Sequence, residues 1–140
     1  MTSKEIRDNE VLVILEKSED GYWARVDALP GCYSFGKTPI EAVENTRDAI
    51  TEHIEGLAEL NAEYPDMFNN EYKLKIKYDL QSLFETFKFI NVSAFAQLAG
   101  INASLLRQYA KGLTLAGEKQ KEKIETALHQ VSKDLESACL

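Results

Sequence analysis

The sequence predicts an α+β chain built as two modules, a small β-β-β-α-β unit over residues 1–78 and an all-α unit over residues 79–140. Three observations predict it. Between residues 10 and 36, short apolar or alternating runs are broken by glycine-containing turns, the pattern of antiparallel strands. From residue 38 to residue 60 apolar positions recur at helical spacing, and beyond residue 79 the period stays helical. Charge divides at the same place: residues 1–78 hold nine Lys/Arg against sixteen Asp/Glu, net −7, whereas residues 79–140 hold seven of each. Within the second module, residues 88–123 are net +4. Such an asymmetry indicates modules with different partners.

Val11 to Leu15 is a β-branched-rich apolar run ended by Ser18-Glu19-Asp20-Gly21, as in a buried strand followed by a turn. Tyr22 to Asp27 follows directly, and the Asp-Gly between the runs favours a hairpin. Leu29-Pro30-Gly31 breaks the chain again before Cys32-Tyr33-Ser34-Phe35, which Gly36 closes. Thr38, Pro39 and Glu41 supply an N-cap, a first-turn proline and the third-position glutamate of a capping box. Val43, Ile50, Ile54 and Leu57, with Ala42, Ala49 and Ala58, give that helix one apolar stripe as far as about Leu60. Residues 61–72 read as a loop, and Lys73 to Tyr78 alternates polar and apolar as an edge or half-buried strand does.

In the second module Asp79 is placed to cap a helix bearing Leu80, Leu83, Phe84 and Phe87. Ser93 to Ala99 and Ala103 to Ala110 read as two short helices around Gly100-Ile101-Asn102, and Gly112 stops the second. A last amphipathic helix from about Gly117 to Leu135 carries Ile124, Leu128, Val131 and Leu135.

Several function classes are excluded at this level. The longest apolar run, Val11 to Leu15, is far short of the roughly 20 residues of a membrane helix. The opening residues, MTSKEIRDNE, lack the apolar core of a secretory signal, so a cytoplasmic protein is expected. Cys32 and Cys139 form no disulfide framework and have no partners at metal-ligand spacing, so no metal or cofactor is expected. A nuclease would need converging carboxylates. Of the available ones, Glu16 lies near a strand end with Asp27, Asp20 belongs to its turn, Glu41 to its cap, and the remaining helix acids to solvation. His53 falls on the polar side of its helix, and neither it nor His129 has a nearby sequence partner. No catalytic residue is assigned.

Residues 95–112 carry the chemistry that points to DNA. Ala96 sits where two helices must approach, Gly100 can take a turn conformation with positive φ, Ile101 fills between helices and Asn102 can cap the next one. Leu105, Leu106 and Tyr109 then face inward, leaving Ala103, Ser104, Arg107, Gln108 and Lys111 outward. Arg and Gln suit guanine and adenine edges, and small residues at a helix start allow deep entry into the major groove. A plain helical hairpin with a solvated polar face is the competing interpretation. DNA binding is preferred because turn chemistry, cap and basic clustering agree. Lys119, Lys121 and Lys123 suit phosphate contacts and, equally, an exposed helix face interleaved with Glu118 and Glu122.

The segment Ala28-Leu29-Pro30-Gly31-Cys32, followed by Gly36, Thr38, Glu41-Ala42, Asn45 and Ala49-Ile50, resembles the signature of the HicB family of antitoxins. The resemblance covers about residues 10–78, and the helix-turn-helix tail is similar to the version many members carry. It departs from the family at Ala28, a position often acidic, and in the long loop at residues 61–72. The resemblance implies a degenerate ribonuclease-H-like first domain without a working active site, which binds and blocks a HicA-like toxin, a small basic mRNA-cleaving protein. It further implies that the second domain binds operator DNA and represses the operon. An acidic module would suit a basic toxin. Glu16, Glu19, Asp20 and Asp27, with Trp23, are therefore the expected toxin contacts, while Tyr33 and Phe35 join them only if they escape the core. At least two of the three aromatics are expected to be core. Helix-turn-helix proteins bind paired half-sites, so a homodimer or higher oligomer is expected. The alternative is a stand-alone repressor whose α+β domain senses a ligand or a protein.

Overall fold

The computed structural model describes residues 9–140, and the polar opening segment whose composition argues against a secretory signal lies almost wholly outside them. The chain is α+β and divides into two compact units, the boundary falling between Ser82 and Leu83.

The first unit runs β1 (Glu10–Lys17), β2 (Tyr22–Val26), β3 (Tyr33–Gly36), α1 (Pro39–Glu59), a 3-10 turn (Asp66–Asn69) and β4 (Lys73–Tyr78). The sheet order is β3-β2-β1-β4, with the first three strands an antiparallel meander and β4 parallel to β1. A parallel neighbour needs a long crossover, which α1 and the following segment supply. The β1–β2 turn is tight: the Ser18 N–H donates to the Gly21 carbonyl at 2.8 Å. Alternation decides which face packs. Val11, Val13 and Leu15, Tyr22, Ala24 and Val26, and Ser34 and Gly36 are buried and face α1, which lies across β2 and β3.

The helix departs from its predicted stripe in three ways. Its buried line is Pro39, Ala42, Thr46 and Ile50, with Val43, Ala49, Ile54 and Leu57 half-buried, while Ala58 is exposed. Thr46 belongs to the core because its hydroxyl donates to the Ala42 carbonyl and meets Ser34 Oγ, each at 2.9 Å. His53, expected on the polar side, is half-buried. The cap also differs from the expected box: Glu41 N–H donates to Thr38 Oγ1 at 3.1 Å, but Glu41 Oε1 accepts from Lys37 N–H at 3.0 Å and not from Thr38. Gly36 lets this helix start touch the sheet. A Cβ there would lie 2.3 Å from Ala42 N and 2.8 Å from Ala42 Cα.

Residues 61–72 are not a plain loop. Tyr64, Met67, Phe68 and Tyr72 pack on the cluster of Val11, Val26, Leu29, Cys32 and Ile50. Apolar side chains spaced through the segment close one end of the core. At the other end Asp79 joins two elements, accepting from Lys17 N–H at 3.0 Å and from Ser82 N–H at 2.7 Å at the start of α2 (Leu80–Thr86).

The second unit contains α3 (Val92–Ala99), α4 (Ala103–Ala110) and α5 (Glu118–Glu136). Asn91 caps α3 through Ala94 N–H at 2.9 Å, and Asn102 caps α4 through Leu105 N–H at 3.1 Å. Gly100, at φ +72°, ends α3, and the Ile101 N–H reaches back to the Ala96 carbonyl. Leu83, Phe84, Phe95, Ala96, Ala99, Ile101, Leu106, Tyr109, Ile124 and Ala127 are buried, with Phe84 and Phe95 edge to face at 6.1 Å. The stripe on α5 fades along the helix: Leu128 and Val131 are half-buried and Leu135 is 64% exposed. Among the described residues no helix is long and apolar enough to cross a membrane.

Candidate functional site

Each unit presents one surface whose residues exceed what its fold requires. On the first unit it is the sheet face turned away from α1. Period-two alternation puts Leu12, Ile14 and Glu16 of β1, Trp23 and Arg25 of β2, Tyr33 and Phe35 of β3, and Lys75 and Lys77 of β4 on that face. The expectation that at least two of the three aromatics are core is overturned. Trp23 is 47% and Tyr33 56% exposed, and Phe35 is half-buried with its ring edge to face against Trp23 at 5.0 Å. Strand parity is the reason: the inward positions of β2 and β3 are taken by Tyr22, Ala24, Val26, Ser34 and Gly36.

The predicted acidic contacts are all exposed, but they are not one patch. Glu16 pairs across the sheet with Trp23, and Glu19 and Asp20 occupy the adjoining turn. Asp27 lies at the far end of β2, with Arg25 between: its guanidinium is 3.9 Å from Glu16 and 3.8 Å from Asp27. Such long, solvated pairs are worth at most about 1 kcal/mol. A second group of acids lies elsewhere, on the exposed side of α1 at Glu44, Asp48, Glu52, Glu55 and Glu59. The far edge of the sheet is basic, with Lys73, Lys75 and Lys77 on β4.

The catalytic alternatives gain nothing from the geometry. Glu41 is engaged at the start of α1 and Asp20 stays in its turn, and no group of three His, Cys, Asp or Glu side chains converges among the described residues. Cys32 is buried, and burial pushes its thiol pKa up, the opposite of nucleophile activation. An open cleft of about 550 Å³ lies between α1 and the start of β4, lined by Arg47, Asp48, Thr51, Glu71, Tyr72 and Lys73 among others. Its charges are mixed, and Arg47 stacks over Tyr72 at 5.5 Å.

On the second unit the surface is the outer side of α4. Ser104, Arg107 and Gln108 are exposed on it and Lys111 at its end, while Ala103, expected outward, is half-buried, as is Leu105, expected inward. Two contacts here are not legible in the sequence. Arg107 Nη1 donates to Ser93 Oγ at 2.8 Å, and Thr114 Oγ1 donates to Gln108 Oε1 at 3.1 Å. Lys119, Lys121 and Lys123 are exposed at the start of α5, with Lys121 3.7 Å from Glu118.

Comparison with known proteins gives these surfaces a context. Residues 11–111 match the HicB-like antitoxin family of bacterial toxin–antitoxin systems, a span that runs from β1 through α4. A UPF0150 protein of Thermoplasma acidophilum is 48% identical over 54 residues, which are 38% of this chain and 78% of that protein. An uncharacterized 14.9 kDa protein from the rep-hol intergenic region of Haemophilus phage HP1 is 45% identical over 53 residues, 38% of this chain and 40% of that protein. A UPF0150 protein of Helicobacter pylori is 49% identical over 37 residues, 26% of this chain and 51% of that protein.

Proposed function

The chain belongs to the HicB-like antitoxin family of bacterial toxin–antitoxin systems, and from that premise we propose that it neutralises a HicA-like mRNA-cleaving toxin through its first unit and represses its own operon through its second. In this reading it is a cytoplasmic, non-enzymatic protein that needs no cofactor. The first unit is a degenerate ribonuclease-H-like domain, and α3, the turn and α4 are a helix-turn-helix. The observation that carries toxin binding is the aromatic sheet face. Trp23, Tyr33 and Phe35 on β2 and β3 share with Leu12 and Ile14 of β1 the sheet face turned away from α1. Trp, Tyr and Arg are the side chains that dominate binding energy at interface centres. The acids at the hairpin end, Glu16, Glu19 and Asp20, together with Asp27, steer a basic partner and set its approach rate. Attraction by a uniformly acidic module is too simple, because the β4 side of the same face carries lysines.

Operator binding rests on α4. Arg107 and Gln108 read bases, Ser104 and Ala103 line the helix start, and Lys111, Lys119 and Lys121 meet phosphates. The chain acts as at least a dimer, supported by the exposed continuation of the α5 stripe at Leu135.

The test uses the full chain and the product of the neighbouring gene. Trp23→Ala with Tyr33→Ala should weaken the complex by about 30-fold or more, mainly through faster dissociation. Reversal of Glu16, Glu19, Asp20 and Asp27 together should instead slow association and lose its effect at high salt. If the unaltered protein neither binds that product nor protects RNA from it, while still binding DNA, the antitoxin role falls and a stand-alone repressor replaces it.

A further inference from the structure

Adjacent residues on a helix point about 100° apart. Arg107 and Gln108, free on an exposed face, would therefore splay, and each would lose rotamer freedom on reaching a base. Neither is free. Ser93, in the first turn of α3, takes Arg107 Nη1 at 2.8 Å, and Thr114, in the segment after α4, gives its hydroxyl hydrogen to Gln108 Oε1 at 3.1 Å. The two hydroxyls come from opposite sides of α4 in the sequence and hold its two longest polar side chains. The Thr114 end is itself fixed: the Gly112 N–H bonds to the Tyr109 carbonyl and the Leu113 N–H to the Gln108 carbonyl, closing the helix end just before Thr114.

We propose that Ser93 and Thr114 are positioning residues for base recognition, Ser93 orienting Arg107 and Thr114 setting which base Gln108 prefers; the inference rests on the DNA-binding role of α4. An arginine has five N–H donors, so one bond to Ser93 leaves a full edge of the guanidinium for a base. The Ser93 hydroxyl accepts in that bond and keeps its own hydrogen for a phosphate. Glutamine reads adenine by using its oxygen and its amide nitrogen together. Thr114 takes one of the two Oε1 lone pairs and turns that oxygen toward itself, so that Gln108 offers chiefly its two amide hydrogens. Arg107 and Gln108 then both present donors, and they select neighbouring purine acceptors, with no premium for adenine over guanine at the Gln108 position.

The experiment selects binding sites from a randomised duplex pool with the full chain, then titrates selected and random duplexes over a range of salt. Ser93→Ala should lower the ratio of selected to random affinity by about three- to tenfold, the value of one lost pre-ordered side chain. The salt slope should not move, because no phosphate charge is removed. Ser93→Thr should restore the ratio, which a purely structural defect at the start of α3 would not predict. Thr114→Val should shift the preferred base toward adenine at one position. Unchanged ratios and base patterns in Ser93→Ala and Thr114→Val, with Arg107→Ala altering both, overturn the positioning role and leave base reading by α4 intact. No selected sequence in the unaltered protein overturns the DNA-binding role, and the inference with it.

Discussion

Gly36 and Gly31 are both glycines of the strand-turn region, but for different physical reasons, and alanine at each separates them. Gly36 needs space. Its Cβ would lie 2.3 Å from Ala42 N against the 3.4 Å of ordinary contact, so the start of α1 must retreat by about 1 Å. The obstructing atoms are backbone, which no rotamer change relieves. The retreat also loosens the bond from Ser34 Oγ to the Ala42 carbonyl, 2.9 Å long, and the Ser34–Thr46 contact behind it. Overpacking of about 2–3 kcal/mol plus about 1 kcal/mol of hydrogen bonding gives a loss of about 3–4 kcal/mol. Gly31 instead has room, its nearest neighbour being His53 Cε1 at 3.8 Å, but it holds φ +86°. Alanine there pays only backbone strain, about 1–2 kcal/mol. Urea unfolding followed by fluorescence reads the first unit alone, because Trp23 is the single tryptophan of the chain. For a slope of about 1.5 kcal/mol/M, the midpoint should fall by about 2 M for Gly36→Ala and about 1 M for Gly31→Ala. A Gly36→Ala loss equal to or smaller than that of Gly31→Ala refutes the close-approach account.

Arg107→Ala should cost about 1–3 kcal/mol on the selected DNA site and relax preference at one base pair. Lys111→Ala should weaken all sequences alike and flatten the salt dependence; equal losses on specific and random DNA for Arg107→Ala would remove its reading role. Burial raises the pKa of both Cys32 and Tyr78, so the unfolded chain gives up those protons first as pH rises. Their contribution is whole below about pH 8.5 and is lost progressively above it. Trp23-monitored stability should therefore decline from pH 8 to pH 10, and a flat or rising profile contradicts it. Alkylation of the folded protein should label Cys139, which is exposed, before Cys32. For the proposed dimer through α5, Val131→Asp with Leu135→Asp should give monomers in sedimentation where the unaltered chain gives a dimer; an unaltered sedimentation coefficient removes α5 as the contact.

Elements whose signals are local were legible in the sequence. The Asp20-Gly21 turn, the Thr38-Pro39 helix start, the Asn102 cap and the Gly112 stop all stand where their residues indicate, since each rests on neighbours within a few positions. What was missed depends on pairing across distance. The exposure of Trp23 and Tyr33 follows from strand parity, but hydrophobicity alone assigns such residues to the core, and only the packing of α1 on one face decides the matter. Thr46 reads as polar until Ser34 is brought beside it from another element. The Ser93–Arg107 bond links residues 14 apart in sequence, beyond any helical spacing rule.

The parallel pairing of β4 with β1 sets an order of events during synthesis. β1, β2 and β3 can meet as soon as residue 36 is made, but the open flank of β1 is closed only when Lys73 to Tyr78 has been added. The helix α4 itself ends at Ala110, a further 32 residues along. At about 5–20 residues per second, that interval is about 2–6 s. A newly made chain therefore passes through a period in which its aromatic sheet face exists and its α4 face does not. Under the proposed division of roles, the toxin-binding surface would precede the DNA-binding one on every molecule made.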